Sequence, residues 1–166
     1  MWGLMIVSYL CIAISIVLLT LTGFQGYFQF QLMQANHPQF ALFTAIFYMF
    51  TETLIMFYFI GSGTAIKKSI KIEGGEPSLY EKVKKTKMIL FPHLTMNMLF
   101  IGTVFILGGA VQTGSVSGWM HGLLFDLAFI HFLYVIVIQH RGFKENVEII
   151  GKIAMIEGAA TTNSHA

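Results

Sequence analysis

The chain contains two very long segments that are almost free of charged side chains. Residues 1–51 include no Asp, Glu, Lys or Arg, and between Met88 and His140 the only such residue is Asp126. A membrane span needs about 20 apolar residues, so each segment is long enough for more than one crossing. Of the 166 residues, 55% are hydrophobic and 11% are charged. This is too little charge to cover a water-soluble domain or to keep a chain disordered, and we expect an integral membrane protein.

The apolar segments divide into four predicted spans, at about 3–22, 40–60, 88–111 and 119–139. They predict an all-α fold in which four transmembrane helices form an antiparallel bundle, as one domain over residues 1–158. Residues 142–157 carry an apolar stripe and a charged stripe at helical spacing, which predicts an amphipathic helix along the inner membrane surface. Residues 159–166 are expected to form a flexible tail. No internal repeat is visible.

The basic residues predict the orientation of the chain in the membrane. All ten Lys and Arg lie in Lys67–Lys87 and Arg141–Lys152, whereas the predicted loops 23–39 and 112–118 carry no charge. Because Lys and Arg are retained on the cytoplasmic side, both termini are predicted to be cytoplasmic, in a cytoplasmic (inner) membrane. Such clustering is typical of membrane topology, so we expect a lipid bilayer and no nucleic acid as partner.

Three ionisable side chains lie deep in the predicted spans. Near the midplane each costs about 2.5–3.5 kcal/mol on insertion scales, so each is expected to have a partner or a function. With a rise of about 1.5 Å per residue from the outer surface, Glu52 and His131 lie about 18 Å deep and His93 about 22 Å. Because the three belong to different helices, we expect them to converge at a similar depth.

The pair His93 and His131 is the first candidate site. One histidine from each of two helices at matching depth resembles the way in which four-helix membrane cytochromes hold haem b. In this hypothesis the two histidines are axial iron ligands and Asn97 hydrogen-bonds near the cofactor or a quinone. Glu52 then relays protons or orients a ligand. Alternatively, each imidazole bonds a carbonyl group or Glu52 and only joins the helices.

A second histidine pair, His37 and His121, lies nearer the outer surface. Two stacked pairs would make a two-haem protein, but His37 is expected in water, and interfacial histidines are the simpler interpretation. Asp126 is expected to meet another helix, such as a Thr or Ser of the first span, or a different subunit, because a charge facing lipid is not tolerated.

Methionines close to His93 suggest a different metal. The motif His-x-x-Met-x-Met places Met96 and Met98 after His93, and thioether and imidazole groups suit Cu(I). With Glu52 these residues form an alternative copper site. The two methionines are about 160° apart on an ideal helix, which argues against joint binding.

Motifs of soluble-type enzymes are absent from the sequence, including a phosphate-binding loop, a nucleophile elbow and a His-Glu-x-x-His metal motif. The leading hypothesis is a small membrane subunit of a respiratory or electron-transfer complex, binding haem b and linked to quinone chemistry. Such a subunit of a membrane oxidoreductase transfers electrons or is non-catalytic, and is not an enzyme alone. One alternative is a copper-handling or oxidase-assembly protein, and another is a structural accessory subunit without a cofactor.

Overall fold

The computed structural model describes residues 2–73 and 76–164. Within these residues the chain is helical apart from short loops and one isolated backbone bridge between Leu32 and Ala35. The helices are α1 (Trp2–Phe28), α2 (His37–Glu73), α3 (Pro77–Gln112) and α4 (Gly118–Ser164). All four are long and apolar enough to cross a membrane. The expected all-helical class is confirmed, and the four helices are consistent with an integral membrane protein.

The helices extend well beyond the predicted spans. Helix α4 continues without a break through residues 142–157, where the sequence predicts a separate amphipathic helix at the membrane surface. One face of this segment, which includes Ile149 and Ile153, is instead buried against α2 and α3 in a cluster with Ile66, Leu79 and Val83. An amphipathic pattern shows only that one face of a helix is shielded from water. Here the other helices, and not the membrane surface, shield that face. The expected tail belongs to the same helix up to Ser164, while residues 165–166 lie outside the described residues.

Hydroxyl groups join the first two helices inside the apolar core. Ser15 donates a hydrogen bond to Thr51 over 3.1 Å, and the hydroxyls of Thr22 and Thr44 are 2.8 Å apart. Residue numbers therefore rise along α1 as they fall along α2. Helices α3 and α4 also pack together, while α2 contacts α3 and α4, and α1 contacts α4.

Helices α2 and α4 meet along the centre of the molecule through residues at equivalent positions. Asn146 donates a 2.5 Å hydrogen bond to Ser62, which precedes it by 84 positions. The same separation relates three pairs of rings whose centroids are 5.1, 5.3 and 6.2 Å apart, namely Phe59 and Phe143, Tyr48 and Phe132, and His37 and His121. In a structure with twofold symmetry, a residue contacts the equivalent residue of the other half only where both lie beside the symmetry axis. We call the line between α2 and α4 the pseudo-twofold axis.

Helices α1 and α3 follow the same repeat. Five of the seven buried positions of α1 recur at a constant separation in α3, as Ser8 and Leu90, Ile12 and Leu94, Ser15 and Asn97, Leu19 and Ile101, and Thr22 and Val104. The chain thus consists of a first half (α1 and α2) and a second half (α3 and α4) of similar construction. No repeat is visible in the sequence because burial recurs between the halves while few residue identities do.

Candidate cofactor site

A cavity of about 700 Å³ lies between the four helices, close to the loops that follow α1 and α3. Its volume falls in the range of about 300–1,000 Å³ that is usual for ligand sites. His37, in the first turn of α2, and His121, in the first turn of α4, both line it. Glycines supply much of the remaining wall, namely Gly23, Gly26, Gly108, Gly109, Gly118 and Gly122.

A capping arrangement fixes the start of α2 and so the position of His37. The backbone N–H of Asn36 donates to Gln39 Oε1 over 3.1 Å, and the backbone N–H of Gln39 donates to Asn36 Oδ1 over 3.2 Å. These reciprocal bonds satisfy N–H groups that a helix start leaves free. His37 is therefore half-buried in the cavity wall, whereas the sequence analysis placed it in water.

The imidazoles of His37 and His121 face each other across the pseudo-twofold axis. Their ring centroids are 6.2 Å apart and their planes make an angle of 75°. Each Nδ1 is buried without a completed hydrogen bond, and each ring lies near a main-chain carbonyl of the neighbouring helix: that of Thr22 for His37 and that of Val104 for His121. A histidine that ligates a metal usually directs its other ring N–H to such a carbonyl. Because Nδ1 is buried in both rings, Nε2 is the nitrogen that remains for a ligand.

Two glycines allow each ring to lie directly on a neighbouring helix. Gly26 lies one turn after Thr22, and a Cβ there would be 3.1 Å from Cε1 of His37. Gly108 lies one turn after Val104, and a Cβ there would be 3.3 Å from Cε1 of His121. Both contacts would be tighter than ordinary van der Waals contact. The two halves therefore form matching surfaces for the two imidazoles. We call them the seats of His37 (Thr22 and Gly26) and of His121 (Val104 and Gly108).

The structure also brings His93 and His131 together, in different surroundings. Their ring centroids are 5.7 Å apart with an angle of 44° between the planes. Both are half-buried, and neither lines the cavity. They lie along the contact between α3 and α4, where Phe100 and Tyr134 pack against the rings. We call the site of His93 and His131 the seam. It opens on the outer face of the molecule, since Tyr134 is 55% exposed.

A buried hydrogen-bond chain starts at His131. Its Nδ1 lies 2.7 Å from Asn97 Oδ1, and Asn97 Nδ2 donates to the hydroxyl of Tyr48 over 2.5 Å. Because the amide N–H group of Asn97 is used by Tyr48, its oxygen is the acceptor for His131. The proton of His131 is therefore assigned to Nδ1, and its Nε2 carries the lone pair.

Glu52 is fully buried, one turn after Tyr48 on α2. Its Oε2 accepts a 2.7 Å hydrogen bond from Gln139 Nε2, while its Oε1 has no partner. The expected convergence of Glu52 with His93 and His131 is thus indirect, since Tyr48 and Asn97 stand between them. Sequence reasoning missed Tyr48 and Gln139 because ordinary polar residues carry no motif.

The proposed copper ligands are divided between different surroundings. Met96 is 48% exposed, whereas Met98 packs against the buried core, and Glu52 is engaged by Gln139. Among the described residues no group of three or more His, Cys, Asp or Glu side chains is placed to hold a metal ion. A site that combines both methionines with His93 gains no support from this arrangement.

Asp126 has a partner within the chain. The hydroxyl of Tyr27 on α1 donates to its Oδ2 over 2.7 Å, in place of the Thr or Ser of the first span that the sequence analysis suggested. Since Tyr27 also lines the cavity, this bond joins α1 to α4 at the edge of the candidate site.

Comparisons of the chain with protein-family models, with curated proteins and with solved structures find no match. The side chains that line the cavity are therefore the guide to its function. Among them, the matching seats of His37 and His121 are the most specific feature.

Proposed function

We propose that this chain is a small membrane subunit of an electron-transfer complex and binds haem b between His37 and His121. The observation that carries the proposal is the pair of half-buried imidazoles, 6.2 Å apart between ring centroids, in the wall of a cavity of about 700 Å³. An iron atom that binds one imidazole nitrogen on each face at roughly 2 Å holds the ring centroids about 6 Å apart. Haem iron bound in this way carries one electron at a time.

The lining of the cavity suits a flat, largely apolar ring with two acidic side chains. Leu19, Ile101 and Val104 form the buried part of the wall. Side-chain amides lie at the exposed part, from Gln29, Gln39 and Gln112. Amide N–H groups donate hydrogen bonds to carboxylates, so this part of the wall is suited to the propionates.

The membrane arrangement belongs to the same proposal. The four helices form an antiparallel bundle in a cytoplasmic membrane, with both termini on the cytoplasmic side and the cavity near the opposite surface. The contacts between α1 and α2 and the clustering of Lys and Arg support it. Large apolar side chains cover the outward face of α1, where Ile6, Leu10 and Val17 are about half exposed. This surface suits lipid or another membrane subunit.

The other histidine pair, His93 and His131, remains a second candidate for haem, since 5.7 Å between the rings is close to the same requirement. We rank it below the first because the large cavity is lined by His37 and His121 and not by these residues. The competing functions are a copper-handling protein and an accessory subunit without a cofactor.

The test is the absorption spectrum of the full chain, purified in mild detergent after expression with sufficient haem, before and after reduction by dithionite. A Soret band and a sharp α band of low-spin haem b support the proposal. Bound copper without haem, found by metal analysis, favours the copper-handling protein. Absence of haem and metal favours the accessory subunit.

A further inference from the structure

The two halves differ at several positions where a polar side chain has an apolar or smaller counterpart. In helices α2 and α4, Tyr48, Glu52, His131 and Gln139 occupy positions whose counterparts are Phe132, Ile136, Phe47 and Ile55. In α3, His93 and Asn97 correspond to Cys11 and Ser15 of α1. The seats of His37 and His121 follow the repeat, whereas this second set departs from it.

Several of the residues that depart from the repeat are hydrogen-bonded to one another. Hydrogen bonds lead from His131 through Asn97 to Tyr48, and Glu52 with Gln139 follows one turn further along α2. A polar group inside a membrane protein is costly unless it is bonded or used. A polar cluster that occurs at only one of the two equivalent places in the repeat indicates a function that the fold does not require.

We propose that the seam binds the hydroxylated ring of a quinol that reaches it from the bilayer. His131 Nε2 is the acceptor for a quinol hydroxyl, because the bond from Nδ1 to Asn97 leaves the lone pair on Nε2. His93, with its ring 5.7 Å from that of His131, offers a second polar contact. Phe100 and Tyr134 supply aromatic surfaces for the ring of the ligand.

The position of the seam favours a ligand from the membrane. Both histidines are only half-buried, and Tyr134 beside them is 55% exposed on the outer face of α4. A lipid-soluble ring can therefore approach through the bilayer without entering the cavity of His37 and His121. Binding of the quinol itself requires no haem. The inference rests on the proposed function only in that the haem would accept the electrons of the quinol.

Asn97 is a positioning residue in this proposal. It does not contact the ligand, but it fixes which nitrogen of His131 faces outward. Tyr48 holds the amide of Asn97 in the required orientation. Replacing Asn97 by Asp keeps an acceptor for His131, whereas replacing it by Leu removes that acceptor.

The experiment titrates the purified holoprotein in lipid nanodiscs with 2-heptyl-4-hydroxyquinoline N-oxide, a fluorescent quinol analogue whose emission is quenched on binding. We expect saturable quenching by the natural chain. His131→Phe, which introduces the residue found at the equivalent position 47, should raise the Kd about tenfold or more, as expected for one lost hydrogen bond to a fixed acceptor. Asn97→Leu should act in the same direction, and Asn97→Asp should restore binding.

The haem spectrum serves as the independent control. His131→Phe should retain haem, while His121→Ala should lose haem and keep binding of the analogue. Absence of quenching in the natural chain, or an unchanged Kd in His131→Phe, would overturn the quinol site. Loss of haem in His131→Phe would overturn it as well, because the residue would then be an iron ligand. A chain without haem that still binds the analogue through His131 would contradict the proposed haem site alone.

Discussion

The imidazoles of His37 and His121 lie 6.2 Å apart across the pseudo-twofold axis, with their planes at 75° to each other. Each ring is seated by a carbonyl group and a glycine one turn apart, Thr22 and Gly26 in one half, Val104 and Gly108 in the other. Because the two seats match, a symmetric ligand on the axis meets both rings alike. An iron porphyrin with two axial imidazoles has this symmetry.

The angle between the rings has a spectroscopic consequence. Ferric haem with nearly perpendicular axial imidazoles shows an EPR spectrum dominated by one feature at large g, whereas parallel rings give three resolved features. At 75° we expect the large-g form. Low-temperature EPR of the oxidised protein checks this, and a rhombic spectrum with three features would show that the rings are held near parallel.

The glycine seats can be tested by adding side-chain atoms. Gly26→Val should abolish haem binding, because even a Cβ at that position would be 3.1 Å from the His37 ring. Gly108→Val should act in the same way on His121. The matched control is Gly61→Val, since a Cβ at Gly61 meets nothing within 4 Å. Haem content is measured from the Soret absorbance per mole of chain, and equal haem in all three variants would contradict the proposed seats.

Replacing Glu52 separates its structural role from a role in proton transfer. Glu52→Leu leaves the buried Nε2 group of Gln139 without its acceptor, so unfolding in detergent should become easier by about 1–3 kcal/mol. Glu52→Gln keeps an acceptor and should fold normally.

If Glu52 relays protons, Glu52→Gln should slow electron transfer through the assembled complex while assembly is retained. If the complex with Glu52→Gln turns over at the natural rate, Glu52 has only a structural role. If Glu52→Gln prevents assembly, the proton relay is contradicted.

The membrane orientation can be tested with single cysteines in a Cys11→Ser background. We expect a cysteine at Ser115 to react with an impermeant maleimide added to intact cells, because the loop that follows α3 carries no charge. A cysteine at Lys71 should react only after the cells are opened. Labelling of position 71 in intact cells would invert the arrangement and place the cavity on the cytoplasmic side.

Charge and hydropathy were sufficient to predict the helical membrane fold, because long uncharged segments such as 1–51 leave few alternatives. The approach of His93 to His131 also followed from depth. The cavity did not, because its wall depends on glycines such as Gly26 and Gly108, whose role appears only when a ring lies against them. Depth estimates also treated His37 as part of a loop, whereas Asn36 and Gln39 make it the start of a helix.

The most direct test of the haem position is the amount of haem per chain in four single variants. The haem is measured as its reduced pyridine complex. The natural chain should carry about one haem b, and His37→Ala and His121→Ala should each abolish it. His93→Ala and His131→Ala should retain it. A natural chain without haem would contradict the account. So would retention in the first two variants with loss in the other two, which would place the iron at the seam between α3 and α4.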